Sequence, residues 1–120
     1  RKLFNVLQEK INARTPFFGI CLGMQVLFER SQEAPGIKGL SVIPGEVRRF
    51  SGTKLIIPHM GWNRVRSPEA GEWIDDGFAY FANSYRVAES DFDALRRDGW
   101  SIARCEFRRN SSSKAGSDMI

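Results

Sequence analysis

The chain has 120 residues, of which 42% are hydrophobic and 27% are charged, and its formal net charge is +4. These values are ordinary for one soluble globular domain with a real hydrophobic core. No run approaches the roughly 18 apolar residues that span a bilayer, and neither a basic stripe interleaved with aromatic residues nor a helix-turn-helix pattern accompanies the arginines. The composition therefore argues against a membrane or nucleic-acid partner.

Two cysteines are present, Cys21 and Cys105, without CxxC spacing and with a single histidine in the chain. This usage argues against a disulfide scaffold or a zinc site. It fits a reducing compartment, where a lone reactive thiol is tolerated. We therefore expect a cytoplasmic protein.

The chain opens on an amphipathic helix, because Leu3, Leu7 and Ile11 recur at helical spacing until Pro16 interrupts the pattern. The elements expected after it are typical of an α/β sheet with an antiparallel extension. The first of them are a buried parallel strand over Phe17–Cys21, a helix over Met24–Glu29, a loop over Gln32–Leu40, and strands over Val42–Ile43, Glu46–Phe50, Leu55–Pro58 and Trp62–Arg66. A polar segment over Ser67–Gly77 follows, and then two strands over Phe78–Ala82 and Tyr85–Ala88 that either form a hairpin or simply follow one another. The last are a helical turn over Phe92–Arg97 and a strand over Ser101–Phe107.

Both ends of the sequence differ from those of a complete α/β domain. Arg1 already lies inside the first helix, and the Ser-rich segment 108–120 is typical of a disordered tail or of a shifted reading frame. We therefore expect a partial domain over residues 1–107, truncated at both ends, and a tail over 108–120. The alternative is a short natural protein with a frayed end.

Residues 17–25 carry the strongest functional signal, since an apolar strand there runs into Cys21, flanked by Gly19 and Gly23, and then into a helix. A nucleophile on so tight a strand-to-helix turn needs small residues two positions before and after it. The positive end of the helix favours the thiolate, and the amide of Leu22 would face the oxyanion that forms on an attacked carbonyl. The alternative is that Cys21 is a small buried hydrophobic residue.

A wider set of residues resembles one enzyme family. The elbow, residues 17–25, ends at Gln25 and is followed by Glu33, by the run Pro58-His59-Met60-Gly61-Trp62-Asn63, and by Tyr80-Phe81 and Asn83-Ser84-Tyr85. Over residues 1–107 this pattern resembles the class I glutamine amidotransferases, and the Pro-His-Met-Gly-Trp-Asn run resembles in particular the HisH glutaminase subunits of imidazole glycerol phosphate synthase. The resemblance implies a flavodoxin-like open sheet with a nucleophile elbow and an antiparallel extension.

The resemblance also implies a role for each matching residue. Cys21 would attack the side-chain amide of glutamine, forming a glutamyl thioester and releasing ammonia, and Leu22 would supply an oxyanion amide. Gln25 and Glu33 match positions that hold the substrate, where a carboxylate suits the α-amino group of an amino acid. Ser84 and Tyr85 match a segment whose backbone meets the substrate carboxylate. The face that docks on a cyclase subunit is matched by His59, Trp62, Asn63 and Tyr80.

The implied assembly is a heterodimer in which the cyclase uses the ammonia in histidine biosynthesis. No metal or organic cofactor is implied, because thioester chemistry requires neither.

The sequence also departs from the family pattern. The family's general base lies in a His-Pro-Glu segment near its C-terminus, and a second oxyanion amide comes from a glycine loop upstream of the elbow; neither is present here. The single histidine, His59, matches the partner-facing run, and Asn83 stands where histidine is more usual. We therefore expect the intact protein to be a glutaminase and this chain alone to be inactive.

Three alternatives remain at this point. The first is a class I amidotransferase of another pathway, against which the Pro-His-Met-Gly-Trp-Asn run argues. The second is a non-catalytic protein that keeps the fold and docks on a partner. The third is a cysteine peptidase or hydrolase on a related elbow, although Gln25 with Glu33 indicates a small charged amino-acid substrate.

Overall fold

The computed structural model describes residues 2–52, 55–67 and 74–107, and it divides the chain into two compact units, residues 1–47 and 48–120. The elements are α1 (Lys2–Asn12), α2 (Leu22–Gln25), β1 (Phe28–Ser31), β2 (Ile43–Arg49), β3 (His59–Arg66), β4 (Gly77–Asn83), β5 (Tyr85–Val87), α3 (Phe92–Arg97) and β6 (Arg104–Cys105). The described part of the chain is thus a mixed α/β protein with open sheets. Among these residues, no helix has the length and apolar character needed to cross a membrane.

The first unit is organised around the parallel pair of β1 and β2. The pairing places Arg30 opposite Glu46 and Ser31 opposite Val47. Burying apolar side chains at this pair stabilises the unit. Its buried hydrophobic residues are Phe28, Leu40, Ile43 and Val47.

The expected helix at the start of the chain is confirmed, because α1 covers Lys2–Asn12. The loop over Gln32–Leu40 is also confirmed, since no helix or strand occurs there. The strands expected at Val42–Ile43 and Glu46–Phe50 are a single strand, β2.

Two predictions on either side of Cys21 are wrong. Phe17–Cys21 is not a strand, and Phe18 and Ile20 are 87% and 74% exposed. A central parallel strand needs neighbours on both edges, and none of the described strands pairs with this segment.

The helix expected over Met24–Glu29 is instead the four-residue α2 followed by β1, which begins at Phe28. The carbonyl of Leu27 accepts hydrogen bonds from the amides of Val42 and Ile43, at 2.8 and 2.9 Å. These contacts and the burial of Phe28 outweigh the local preference for helix.

The second unit contains an antiparallel sheet in the order β4-β3-β6, which confirms the antiparallel extension. β3 pairs with β4 from His59 opposite Asn83 to Val65 opposite Gly77, and its end pairs with Cys105 of β6. α3 is confirmed over Phe92–Arg97. The largest buried side chains of this unit come from several elements: Phe50, His59, Phe92, Leu95 and Cys105.

The remaining strand predictions of this unit need adjustment. Leu55–Pro58 forms no strand, and the strand expected from Trp62 begins at His59. The segment Ser101–Phe107 contains only the two-residue strand β6. The strands over Phe78–Ala82 and Tyr85–Ala88 occur in succession as β4 and β5, and β4 forms its hairpin with β3.

Of the polar segment Ser67–Gly77, the described part is held by Asp76, which accepts a hydrogen bond from the amide of Ser67 at 2.9 Å and pairs with Arg64 at 3.3 Å. The predicted tail over 108–120 lies outside the described residues.

Candidate active site

Cys21 occupies the sharp turn that the glycine spacing predicts. It is the N-cap residue of α2, with φ 53° and ψ −113°. A non-glycine residue in such a backbone conformation costs of order 1–3 kcal/mol, and residues of this kind cluster at functional sites. The chain doubles back here, because the amide of Gly23 donates to the carbonyl of Ile20 at 2.9 Å. The side chain is exposed, so in the described residues Cys21 is not a buried structural cysteine.

The two glycines around Cys21 have different surroundings. A Cβ on Gly19 would lie 2.4 Å from the carbonyl oxygen of Gly23, a distance that real Cβ atoms do not show. A Cβ on Gly23 would meet nothing within 4 Å among the described residues. The turn therefore requires the absence of a side chain at Gly19, whereas the expected steric need at Gly23 is wrong.

The amide of Leu22 begins α2, so it has no acceptor within the helix. α2 is only four residues long. Its dipole is therefore smaller than the one that the sequence predicted.

Gln25 and Glu33, both expected to hold substrate, form a hydrogen-bonded pair. The Nε2 atom of Gln25 donates to Oε2 of Glu33 at 2.7 Å. The Oγ of Ser31 donates to Oε1 of Gln25 at 2.9 Å and accepts from the amide of Glu33 at 3.2 Å. Gln25 is 7% exposed and Glu33 is exposed, so the pair joins a buried amide to a carboxylate at the surface.

His59, expected on the partner-facing surface, is buried in the second unit at 4% exposure. Its ring stacks on Phe81 and Phe107, with centroids 4.7 and 4.1 Å away. Its Nε2 lies 3.4 Å from Nδ2 of Asn63. Burial lowers the pKa of His59 below its ordinary value of 6.5, so the ring is held neutral. The side chain of His59 is therefore not part of the exposed surface of β3 in the described residues.

Asn63 also points away from the outer face of the hairpin. Its Nδ2 donates to the carbonyl of Glu106, which ties β3 to the segment after β6. Trp62 and Tyr80 lie on the opposite face, 71% and 58% exposed, and their rings meet edge to face with centroids 5.7 Å apart. In the described residues they are therefore surface aromatics and not core residues.

The outer face of β3 borders an open cleft of about 670 Å³. Residues from both faces of β3 line this cleft, and those on the outer face are Met60, Trp62, Arg64 and Arg66. The face thus combines apolar and basic groups.

Ser84 and Tyr85 lie at the bend between β4 and β5 and are half-buried. The carbonyl of Ser84 accepts a hydrogen bond from the amide of Phe50 at 3.0 Å. The side chain of Asn83 donates to the carbonyl of Tyr85 at 3.0 Å. These bonds fix the conformation of the bend.

Residues 1–110 match the family described as "Glutamine amidotransferase class-I". The chain belongs to the class I glutamine amidotransferases. The resemblance to this family implies a cysteine on a tight turn at this position, and Cys21 lies on one.

Several relatives of this amidotransferase bear the same printed name, "Imidazole glycerol phosphate synthase subunit HisH". The relative from Thermus thermophilus is 53% identical over 70 residues, covering 58% of this chain and 34% of the relative. That from Bacillus cereus is 46% identical over 89 residues, covering 71% and 42%. That from Methanothermobacter thermautotrophicus is 39% identical over 122 aligned positions, covering 88% and 60%. The chain therefore spans less than two thirds of the length of each of these relatives.

Ser31 contacts both Gln25 and Glu33, and the sequence did not single it out. A single serine at the end of a strand gives no periodic signal. Its contacts depend on β1 ending at Ser31 beside β2, a pairing that the expected helix over Met24–Glu29 excluded. Among the described residues, no cluster of three or more histidine, cysteine or acidic side chains could hold a metal ion.

Proposed function

We propose that the intact subunit carrying this sequence is the glutaminase of an imidazole glycerol phosphate synthase. In this proposal it hydrolyses glutamine to glutamate and ammonia and passes the ammonia to a cyclase subunit. The observation that carries the proposal is the exposed thiol of Cys21 on a turn with φ 53° and ψ −113°. The names of the relatives favour this pathway over other pathways served by class I amidotransferases.

The chemistry runs through a thioester. The Cys21 thiolate attacks the side-chain carbonyl carbon of glutamine, and the negative charge moves to the carbonyl oxygen, where the amide of Leu22 donates a hydrogen bond. The tetrahedral species collapses by breaking its C–N bond, and the protonated nitrogen leaves as ammonia. Water then attacks the thioester, giving glutamate and restoring the thiol.

Gln25 and Glu33 are the proposed contacts to the substrate in the first unit. One lone pair of the Glu33 carboxylate accepts a hydrogen bond from Nε2 of Gln25. The carboxylate has further lone pairs that can accept hydrogen bonds from the α-ammonium group of an amino acid. The buried amide of Gln25 keeps one N–H for a second contact. Backbone at Ser84 and Tyr85, in the second unit, is the proposed partner of the substrate carboxylate.

The general base is proposed to come from a part of the intact subunit outside these 120 residues. His59, the single histidine of the sequence, is a poor candidate because both faces of its ring are covered by Phe81 and Phe107. Its Nε2 lies beside Asn63. We accordingly expect residues 1–120 alone to release no glutamate above background.

The outer face of β3 and β4 is the proposed docking surface for the cyclase. Trp62 and Tyr80 are its exposed aromatic pair, and large aromatic side chains are typical anchors of protein interfaces. On the opposite face of β3, His59 stacks on Phe107 and Asn63 donates to the carbonyl of Glu106, and these contacts hold the strand in place.

Two broader expectations remain part of the proposal. Residues 1–107 form part of an amidotransferase domain, which the family match over 1–110 supports. The protein works in the cytoplasm, which the two free thiols, one exposed and one buried, support.

The decisive experiment replaces Cys21 by alanine in the intact subunit assembled with its cyclase. Ammonia release from glutamine is expected to disappear, while cyclase activity with added ammonium salt persists because only the ammonia source is lost. Cys105→Ala is the matched control, since that thiol is buried in β6 and has no proposed role in the chemistry. Glutamine consumption by Cys21→Ala at the wild-type rate would overturn the nucleophile assignment.

A further inference from the structure

Ser31 joins the two residues proposed to hold the substrate. Its hydroxyl donates to Oε1 of Gln25 at 2.9 Å, and the same oxygen accepts the backbone amide of Glu33 at 3.2 Å. A serine hydroxyl has one hydrogen to donate. Because the amide of Glu33 already donates to this oxygen, the hydroxyl hydrogen is directed at Gln25.

The backbone of Ser31 is held in place on several sides. Ser31 is the last residue of β1 and lies opposite Val47 of β2. Its carbonyl accepts a hydrogen bond from the amide of Ala34 at 3.1 Å, and the next amide, that of Gln32, donates to Val47 at 2.9 Å. The hydroxyl is therefore presented from a rigid strand end and not from a mobile loop.

This arrangement determines which end of the Gln25 amide faces the carboxylate. With Oε1 bound to the hydroxyl of Ser31, the NH2 group faces Glu33 and donates to it at 2.7 Å. The reversed amide would place a carbonyl oxygen against a carboxylate oxygen, two acceptors with no proton between them. It would also replace the bond that Ser31 donates by one that its oxygen, already bound to the amide of Glu33, accepts.

We propose that Ser31 is a positioning residue for glutamine binding. It orients the amide of Gln25 and, through the turn, the carboxylate of Glu33, and it does not touch the reacting atoms. This inference rests on the proposed function, because it assumes that Gln25 and Glu33 contact glutamine. The sequence resemblance assigned no role to Ser31.

Glutamine affinity is the direct readout, measured by calorimetry in the intact subunit with its cyclase and with Cys21→Ala to prevent turnover. Ser31→Ala is expected to weaken binding by about 3- to 10-fold, the effect of losing one net hydrogen bond. In the active enzyme the same change raises KM and leaves kcat within about twofold, because the reacting atoms are untouched.

A double-mutant cycle separates positioning from a general loss of structure. If Ser31 acts through Gln25, Ser31→Ala weakens binding far less in a Gln25→Ala background than in the wild type. Ser31→Thr, which keeps the hydroxyl, is expected to bind glutamine within about twofold of the wild type. Ser31→Cys, nearly isosteric with a weak donor, provides a second variant should Ser31→Ala fold poorly. Ser51→Ala, at an exposed loop serine, is the control.

The outcomes distinguish this inference from the proposed function. If Glu33→Gln weakens binding while Ser31→Ala does not, or if Ser31→Ala and Gln25→Ala are additive, the role of Ser31 is wrong and the substrate site stands. If Glu33→Gln and Gln25→Ala both leave affinity unchanged, the proposed substrate site fails, and the role of Ser31 fails with it.

Discussion

The elbow, residues 17–25, and the hairpin, β3 with β4, are both rich in apolar residues, but they meet very different surroundings. In the elbow, Phe18 and Ile20 are 87% and 74% exposed and form no strand. In the hairpin, inward and outward positions alternate along β3, and the ladder runs without interruption from His59 to Val65. Each strand of the hairpin thus has the other as its hydrogen-bonded neighbour.

The difference shows that the turn and the strand of the elbow have separate origins. The turn at Cys21 forms from contacts within a few residues, including the bond from the Gly23 amide to the Ile20 carbonyl. The strand before it requires neighbouring strands, which the described residues do not supply. The turn at Cys21 can therefore form where no strand precedes it in the described residues.

The first prediction tests the local origin of the turn. Gly19→Ala would place a Cβ 2.4 Å from the Gly23 carbonyl oxygen, so the turn must open and move the thiol of Cys21. A shift of about 1 Å in a reacting group costs roughly 100-fold in rate. We expect a loss of this size in the glutaminase kcat/KM of the intact subunit with its cyclase.

Gly23→Ala is the matched control for this change. Its Cβ meets nothing within 4 Å among the described residues, and alanine is favoured over glycine within a helix such as α2. Activity is expected to stay within a few-fold of the wild type. Equal losses from the two substitutions would refute a local origin of the turn.

The second prediction separates the two faces of the hairpin. Trp62→Ala removes an exposed aromatic ring from the proposed docking surface. Loss of such an anchor costs about 2 kcal/mol of binding, or roughly a 30-fold weaker complex. Titration of the intact subunit against the cyclase measures the effect, and the melting temperature is expected to change little.

Phe81→Ala is the opposite case on the inner face. Phe81 stacks on His59, with centroids 4.7 Å apart, so truncation opens a cavity in the core of this unit. Such a change costs about 3 kcal/mol of stability. If Trp62→Ala instead lowers the melting temperature and leaves the affinity unchanged, Trp62 is a core residue in the intact protein.

The third prediction concerns pH and is the smallest in effect. Burial lowers the pKa of His59 below 6.5, so the unfolded chain binds this proton more readily than the folded one. The stability contributed by neutral His59 is therefore complete above pH 6.5 and is lost as the pH falls towards the lowered folded pKa. The melting temperature is expected to decline below this pH.

His59→Phe keeps an aromatic ring between Phe81 and Phe107 and removes the titrating group. The decline in melting temperature below pH 6.5 is expected to be shallower in this variant than in the wild type. Parallel profiles for the two proteins would show that other groups control the acid response.

Elements that depend on residue spacing within one segment could be predicted from the sequence. Elements that depend on contacts with residues far along the chain could not. The spacing of Leu3, Leu7 and Ile11 is a property of one segment, and α1 follows it. The boundary between α2 and β1 depends on hydrogen bonds from Val42 and Ile43 to Leu27, far along the chain. No local pattern in Met24–Glu29 reports those bonds.

The same distinction applies to the candidate site. Two glycines around a cysteine predicted the turn at Cys21, although only Gly19 proved to be sterically required. The sequence resemblance assigned both His59 and Trp62 to the docking face. In a strand, however, the side chains of residues three positions apart lie on opposite faces. The role of Ser31 needed the pairing of β1 with β2, which only the folded structure contains.

The contrast between the two cysteines makes the protein a convenient subject for chemical labelling. Burial raises the pKa of the Cys105 thiol to about 11, with the nearby Glu106 carboxylate adding to the effect. Cys21 is exposed. A thiol-directed fluorophore applied to the native protein would therefore mark the elbow selectively. The rate at which Cys105 is labelled afterwards would report how often β6 opens and exposes this thiol. The opening of the fold could thus be followed without introducing a new cysteine.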